Sequence, residues 1–205
     1  MKNKRYSNGE EWANTLSHGA GILLGVVAGY FLLAKASGNA EPQWAVPCVI
    51  VYLVGMLSSY VSSTWYHGSR PGKLKELLRK FDHGAIYLHI AGTYTPFTLL
   101  TLRHAGGWGW GIFSFVWLSA AVGFVLSFKK LKEHSNLETV CYVGMGASIL
   151  VALKPLLDQL ELAGATPAFW WLIGGGISYI AGAIFYSLRN PYMHATFHLF
   201  CLGGS

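Results

Sequence analysis

Apolar residues come in long runs along this chain, separated by short polar stretches. A run near 20 residues is what a helix needs to cross a bilayer, since it rises about 1.5 Å per residue. Seven such spans are predicted, at residues 16–36, 45–66, 82–102, 108–128, 137–153, 168–188 and 192–205. The expected fold class is therefore an all-α integral membrane protein, a seven-transmembrane helix bundle. It forms one domain over residues 1–205, and residues 1–14 form a polar N-terminal segment. The last run would be about 21 Å of helix, short of a ~30 Å hydrocarbon core, so the seventh helix reads as truncated.

Composition agrees with the pattern. Hydrophobic residues make up 53% of the 205 and charged residues 12%, about half the charged share of a soluble domain. The basic residues set the expected orientation. Lys2, Lys4 and Arg5 precede the first span, and Arg70, Lys73, Lys75, Arg79 and Lys80 fall between the second and third. Lys129, Lys130 and Lys132 follow the fourth, and Arg189 follows the sixth. Only Lys35, Arg103 and Lys154 lie on the other side. By the positive-inside rule the N-terminus is cytoplasmic and, with seven spans, the C-terminus is outside. Trp44, Trp108, Trp110, Trp170 and Trp171 all fall at expected outer helix ends, as an aromatic belt would.

The net charge of +6 is thus read as topology and contact with membrane lipids, with no nucleic-acid partner. A polar run of about fifteen residues before the first span, without a small-residue cleavage site, does not read as a cleavable signal peptide. The expected location is a bacterial inner membrane, crossed many times. Cys48, Cys141 and Cys201 have no paired spacing and read as inert buried thiols.

Candidate chemistry collects at one end of the spans. His194 and His198 are four residues apart and share a helix face, a common way to offer two ligands to a metal. His67 ends the second span, and Ser63 stands one turn before it on the same face. Asp82 opens the third span, where it either caps the helix or does chemistry. Glu11, Asn14 and His18 make a polar stripe that faces headgroups and water or reaches the same site. Gly21, Gly25 and Gly29 form a small-residue ridge for close helix packing. That ridge packs inside the bundle or between protomers, so homo-oligomer formation is open.

His89 reads as a core histidine or the lining of a cavity above the site, and Pro96 should kink the third span. His83, His104 and His134 receive no role. Spans four to six read as scaffold, with Gly144, Gly146, Gly174, Gly175, Gly176 and Gly182 marking close helix contacts or a wall for an acyl chain.

Three neutral imidazoles, His67, His194 and His198, suffice as protein ligands for a catalytic Zn2+ ion, which keeps a fourth position free. Asp82 then suits a proton acceptor and Ser63 a hydrogen-bond donor to a developing oxyanion. Together they describe metal-assisted hydrolysis of a carbonyl substrate in a pocket facing the inner leaflet.

Four motifs in order carry a family resemblance: Ser63-Thr64-Trp65-Tyr66-His67, Asp82-His83-Gly84-Ala85-Ile86-Tyr87, Ala91-Gly92-Thr93-Tyr94-Thr95-Pro96-Phe97, and His194-Ala195-Thr196-Phe197-His198-Leu199-Phe200. With Glu11-Trp12-Ala13-Asn14-Thr15-Leu16-Ser17-His18-Gly19 they resemble the hemolysin III family, the bacterial branch of the progestin and adiponectin receptor superfamily. The resemblance implies a seven-helix bundle with a cytoplasmic N-terminus and a zinc on His67, His194 and His198, with Asp82 and Ser63 nearby. In adiponectin receptors and alkaline ceramidases this arrangement goes with amide hydrolysis of ceramide-like lipids, and the bacterial branch is linked to membrane homeostasis.

Three functions follow for comparison. One is a zinc-dependent hydrolase of a lipid amide or acyl substrate, a lipid-like small molecule. Another is a non-catalytic membrane sensor with structural zinc. The third, a pore-forming hemolysin, fits less well, because ionisable groups gather at one face instead of lining whole spans.

Overall fold

A computed structural model describes residues 6–129, 136–188 and 190–205. Within these residues eight α-helices follow one another: α1 (Asn8–Ser37), α2 (Pro42–Gly68), α3 (Lys73–Pro96), α4 (Trp108–Ser127), α5 (Asn136–Ala147), α6 (Leu153–Leu162), α7 (Pro167–Ser187) and α8 (Met193–Gly204). No strand occurs among the described residues.

Local chemistry sets the starts. Ser7 caps α1: its hydroxyl accepts from the Glu10 amide, and the Glu10 carboxylate accepts from the Ser7 amide at 2.9 Å. Pro42 and Pro167 occupy first turns, where a missing N–H costs nothing. Pro96 ends α3, and the chain goes on through a π turn, Phe97–Thr101, and a 3-10 turn, Leu102–His104. The hydroxyls of Thr93, Thr95 and Thr98 bond carbonyls one turn back through this irregular stretch.

Among the described residues, five helical stretches are long and apolar enough to cross a membrane: α1, α2, α4, α7, and Glu138–Leu162, which runs from α5 through a 3-10 segment into α6. Two of the seven expected spans fall outside this set. Charges at Lys73, Lys75, Glu76, Arg79, Lys80 and Asp82 fill the first turns of α3, and α8 has only 12 residues. The fifth run also extends beyond the expected 137–153. Leu156 and Leu160 are buried on one face of α6, while Lys154 and Asp158 pair at 2.7 Å on the other.

α1 packs on α2 through the glycine ridge, within one chain. Side chains of Tyr60, Met56 and Leu53 on α2 fill the space that a Cβ at Gly21, Gly25 or Gly29 would need. α2 and α3 approach closest at Gly55 and Gly92; a Cβ on Gly55 would stand 2.5 Å from the Leu88 carbonyl oxygen. A second core joins Tyr87, Ala91 and Tyr94 of α3 to Ile112, Val116 and Ala120 of α4 and to the fifth run at Met145, Ile149 and Leu156.

α7 packs on α8 at Gly182, whose open side holds Phe197 and Phe200, and at Gly175, which faces the Gly204 carbonyl. Gly144, Gly146, Gly174 and Gly176 have open space beside them instead of a neighbouring helix. An apolar groove lies where Gly111, Ile112 and Phe115 of α4 face Gly144, Ala147 and Val151 of the fifth run.

At one end of the bundle the Arg103 guanidinium lies over the Trp44 ring and donates to Glu41 at 2.7 Å, and Trp44 packs edge-on to Trp110. Trp44 of α2 and Trp110 of α4 thus stand together at this end. The three cysteines are free, and only Cys48 is fully buried; Cys141 is exposed, against expectation. His134, Lys130, Lys132, Arg189 and the basic residues 2–5 lie outside the described residues.

Candidate metal centre

The opposite end gathers the histidines. His67 closes the last turn of α2, and His194 and His198 stand one turn apart on α8. α8 begins at Tyr192, whose left-handed backbone (φ +62°) turns the chain back toward α1. The Tyr192 amide donates to Glu10 Oε1 at 3.4 Å, which ties this turn to the start of α1.

One ring nitrogen from each of His67, His194 and His198 falls within 4.8 Å of the others. His67 Nε2 and His194 Nε2 are 3.2 Å apart. A tetrahedral ion with metal–nitrogen bonds near 2.05 Å sets its ligand nitrogens about 3.3 Å apart. The spacing therefore fits a metal.

Hydrogen bonds on the far side of the rings give the same answer. His67 Nδ1 is 2.7 Å from Glu11 Oε2 and 3.3 Å from the Asn14 side-chain amide; the carboxylate makes the shorter contact and, ionised, only accepts, so Nδ1 carries the proton. His198 Nδ1 is 3.3 Å from the Asn14 carbonyl and 3.0 Å from Ser17 Oγ, which itself donates to that carbonyl. His198 Nδ1 is then the donor as well. Both rings turn a bare Nε2 inward, the tautomer that a metal requires. Glu11 is held in turn by Lys75, whose Nζ lies 2.8 Å from Oε1 and also donates to the His67 carbonyl at 3.3 Å.

Ser63 is 1% exposed, and its hydroxyl has no direct hydrogen-bond partner. The Asp82 carboxylate lies close enough to interact with that hydroxyl and with His67. Asp82 does not cap α3: the helix begins at Lys73 after Gly72, so Asp82 sits on its third turn. The five residues singled out for chemistry, His67, His194, His198, Asp82 and Ser63, thus gather at one end of the bundle.

Other histidines sort differently. His89 is a core residue, buried with Nε2 at 3.4 Å from Ser205 Oγ and 3.5 Å from Tyr179 OH. His104 sits 3.5 Å from Glu41 at the far end. His83, which received no role, pairs with Glu138 of α5 at 2.9 Å, and its carbonyl accepts from Tyr142 OH. Glu138 is buried, so the fifth run is more than apolar scaffold.

Sequence reasoning left Glu11, Asn14 and His18 of α1 between two readings, headgroups and water or this site, and did not single out Ser17. Glu11, Asn14, Ser17 and His18 all touch the centre, and the His18 ring stacks on His198 at 3.6 Å between centroids and 13° between planes. The signal was the polar stripe. Glu10, Asn14 and His18 are buried on the face that continues as Gly21, Gly25 and Gly29, so the stripe and the ridge are one surface.

Comparison with known proteins agrees with the motifs. The family model for haemolysin-III related proteins matches residues 6–205. Hemolysin-3 of Bacillus cereus is 41% identical over 197 residues, covering 96% of this chain and 87% of the relative. The Hemolysin-3 homolog of Bacillus subtilis (strain 168) is also 41% identical over 197 residues, covering 96% and 89%. With its multiple apolar helices and a match across nearly its whole length, the chain is a membrane protein that belongs to the haemolysin-III related family.

Proposed function

We propose that this protein is a zinc-dependent hydrolase of a lipid amide or related acyl substrate, working at the cytoplasmic leaflet of a bacterial inner membrane. In this reading α3 and α8 supply the third and seventh of seven crossings, the N-terminus is cytoplasmic and the C-terminus outside. The observation that carries the reading is the pair of inward-facing Nε2 atoms, His67 and His194, 3.2 Å apart. His67, His194 and His198 would hold the ion, and zinc suits three imidazoles with an open position.

The ion would supply Lewis acidity to the substrate carbonyl. Asp82 accepts the proton of the attacking water as its oxygen bonds to the carbonyl carbon. Ser63 Oγ, buried beside Asp82, donates to the carbonyl oxygen as negative charge builds. The carbon–nitrogen bond then breaks, and the proton held by Asp82 passes to the departing amine. Membrane lipids reach such a site sideways from the leaflet.

Purified protein should contain one zinc per chain and release fatty acid from a lipid amide only when zinc is present. His194→Ala should lose both. Asp82→Asn should keep the zinc and lose about a hundredfold or more in turnover. Stoichiometric zinc without fatty-acid release from the wild type would favour a sensor in which the metal is structural, and wild-type turnover in Asp82→Asn would reject the role of Asp82.

A further inference from the structure

Among the described residues, the buried side-chain polar atoms without a hydrogen-bond partner all stand on two stretches at the histidine end. They are Asn14 Oδ1 and both ring nitrogens of His18 on α1, and Ser63 Oγ and Thr64 Oγ1 on α2. The stretches face each other, with Gly19 against the Thr64 methyl and Gly68 against Thr15. Buried hydroxyls elsewhere find partners: Thr95 and Ser127 return a bond to Ala91 and Gly123 of their own helices, and Tyr94 bonds the Gly146 carbonyl. A buried polar atom left unpaired is costly, so a cluster of them calls for a ligand.

The reaction proposed above uses Ser63 and leaves His18 unexplained. His18 is 5% exposed, its ring lies flat on His198, and Tyr60 packs beside it at 5.0 Å. The stack explains the ring, since a phenyl group would stack as well. It does not explain the two nitrogens. A neutral imidazole offers one donor and one acceptor, and here both sit beside the metal ligands with nothing to bind. An amide carries an N–H to meet the acceptor; an ester of the same shape does not.

We propose that His18 is a specificity-determining residue, its bare ring nitrogen accepting the N–H of a lipid amide held beside His67, His194 and His198. This rests on the hydrolase reading above. An ester would leave the nitrogen unpaired in a buried place, and a site built to hydrogen-bond a group rejects the analogue that lacks it.

The test titrates the purified, zinc-loaded protein with an N-alkyl fatty amide and with the alkyl ester of the same two chains. Binding is read by native mass spectrometry and zinc by elemental analysis. Wild type should bind the amide about tenfold tighter than the ester. His18→Phe, which keeps a ring in the stack, should bind both at the ester's level with zinc unchanged. If His18→Phe fails to accumulate, His18→Leu carries the same expectation. His18→Gln, with a donor and an acceptor, should recover part of the preference.

A wild type without preference, or a His18→Phe or His18→Leu protein that keeps it, overturns the proposal. Fatty-acid release measured in the same samples separates the two ideas. A binding preference without turnover supports the His18 role and rejects the hydrolase. Turnover without preference does the reverse.

Discussion

Glu11 reaches His67 across 56 residues of sequence and fixes its proton: Oε2 lies 2.7 Å from Nδ1. That contact turns the opposite nitrogen of His67 toward His194. Carboxylates placed behind a ligating histidine raise its basicity and hold its orientation, and their removal weakens metal binding about 10- to 100-fold. Glu11→Ala should show a loss of that size in competition with a calibrated chelator. Glu11→Gln, which can still accept from Nδ1, should lose less.

Gly55 is where α2 and α3 come closest, and the atom in the way of any Cβ is a backbone carbonyl, at 2.5 Å. A side-chain tip could swing aside; the Leu88 carbonyl cannot without moving α3. Gly55→Ala should therefore destabilise the protein by about 1–3 kcal/mol, visible as a lower midpoint in detergent. Gly144→Ala, with open space beside it, is the control and should leave the midpoint unchanged.

His83 and Glu138 join α3 to α5 at 2.9 Å with little water around them. Removing one partner leaves the other group buried and uncompensated, which costs more than replacing both by apolar residues. Glu138→Ala should lower stability by about 1–3 kcal/mol. The double variant His83→Phe, Glu138→Leu should fall closer to wild type. Additive losses in this double-mutant cycle would mean the pair is not coupled.

At the far end the Arg103 hydrogen bond holds the Glu41 carboxyl below the usual carboxylate range, with help from the charges of Arg103 and His104. A depressed folded-state pKa contributes stability above the unfolded value, near 4.3, and loses it as pH falls through the folded value. Melting curves of wild type and Glu41→Gln should differ at pH 7 and converge as the pH drops below about 4. A gap that widens with acid would contradict this sign. Because both groups are water-accessible, the gap should also shrink in high salt.

The ligands were legible because three independent patterns pointed to one end: the i, i+4 histidines on the last run, His67 ending the second run, and the distribution of Lys and Arg. Partners of those ligands were not legible to the same degree. Glu11, Asn14 and His18 make a stripe that suits water equally well, and only the seating of Gly21 and Gly25 on Tyr60 and Met56 turns it inward. The role of Asp82 depended on where α3 begins. A start at Asp82 would have made it a cap, while the start at Lys73 makes it a mid-helix carboxylate facing His67.

The end of the fifth run was misread for a related reason. Lys154 looked like a boundary, yet its pairing with Asp158 leaves the other face of the helix free to bury Leu156 and Leu160. His83 and Glu138 were each unremarkable in sequence, 55 residues apart, and nothing local announces a pair at that distance.

The centre draws on the first two helices and the last, and 127 residues separate His67 of α2 from His194 of α8, whose nitrogens come closest. During synthesis α1 and α2 are therefore made, and inserted, long before α8 exists to complete the set. Until then the His18 and His67 rings lack their partners on α8, and the three-histidine set is incomplete. Once α8 arrives, a bound ion would join segments 127 residues apart. Closing so long a loop removes more disorder from the unfolded chain than any local contact could. The ion would then act as a clasp on the finished bundle, and its capture would mark the moment at which assembly is complete.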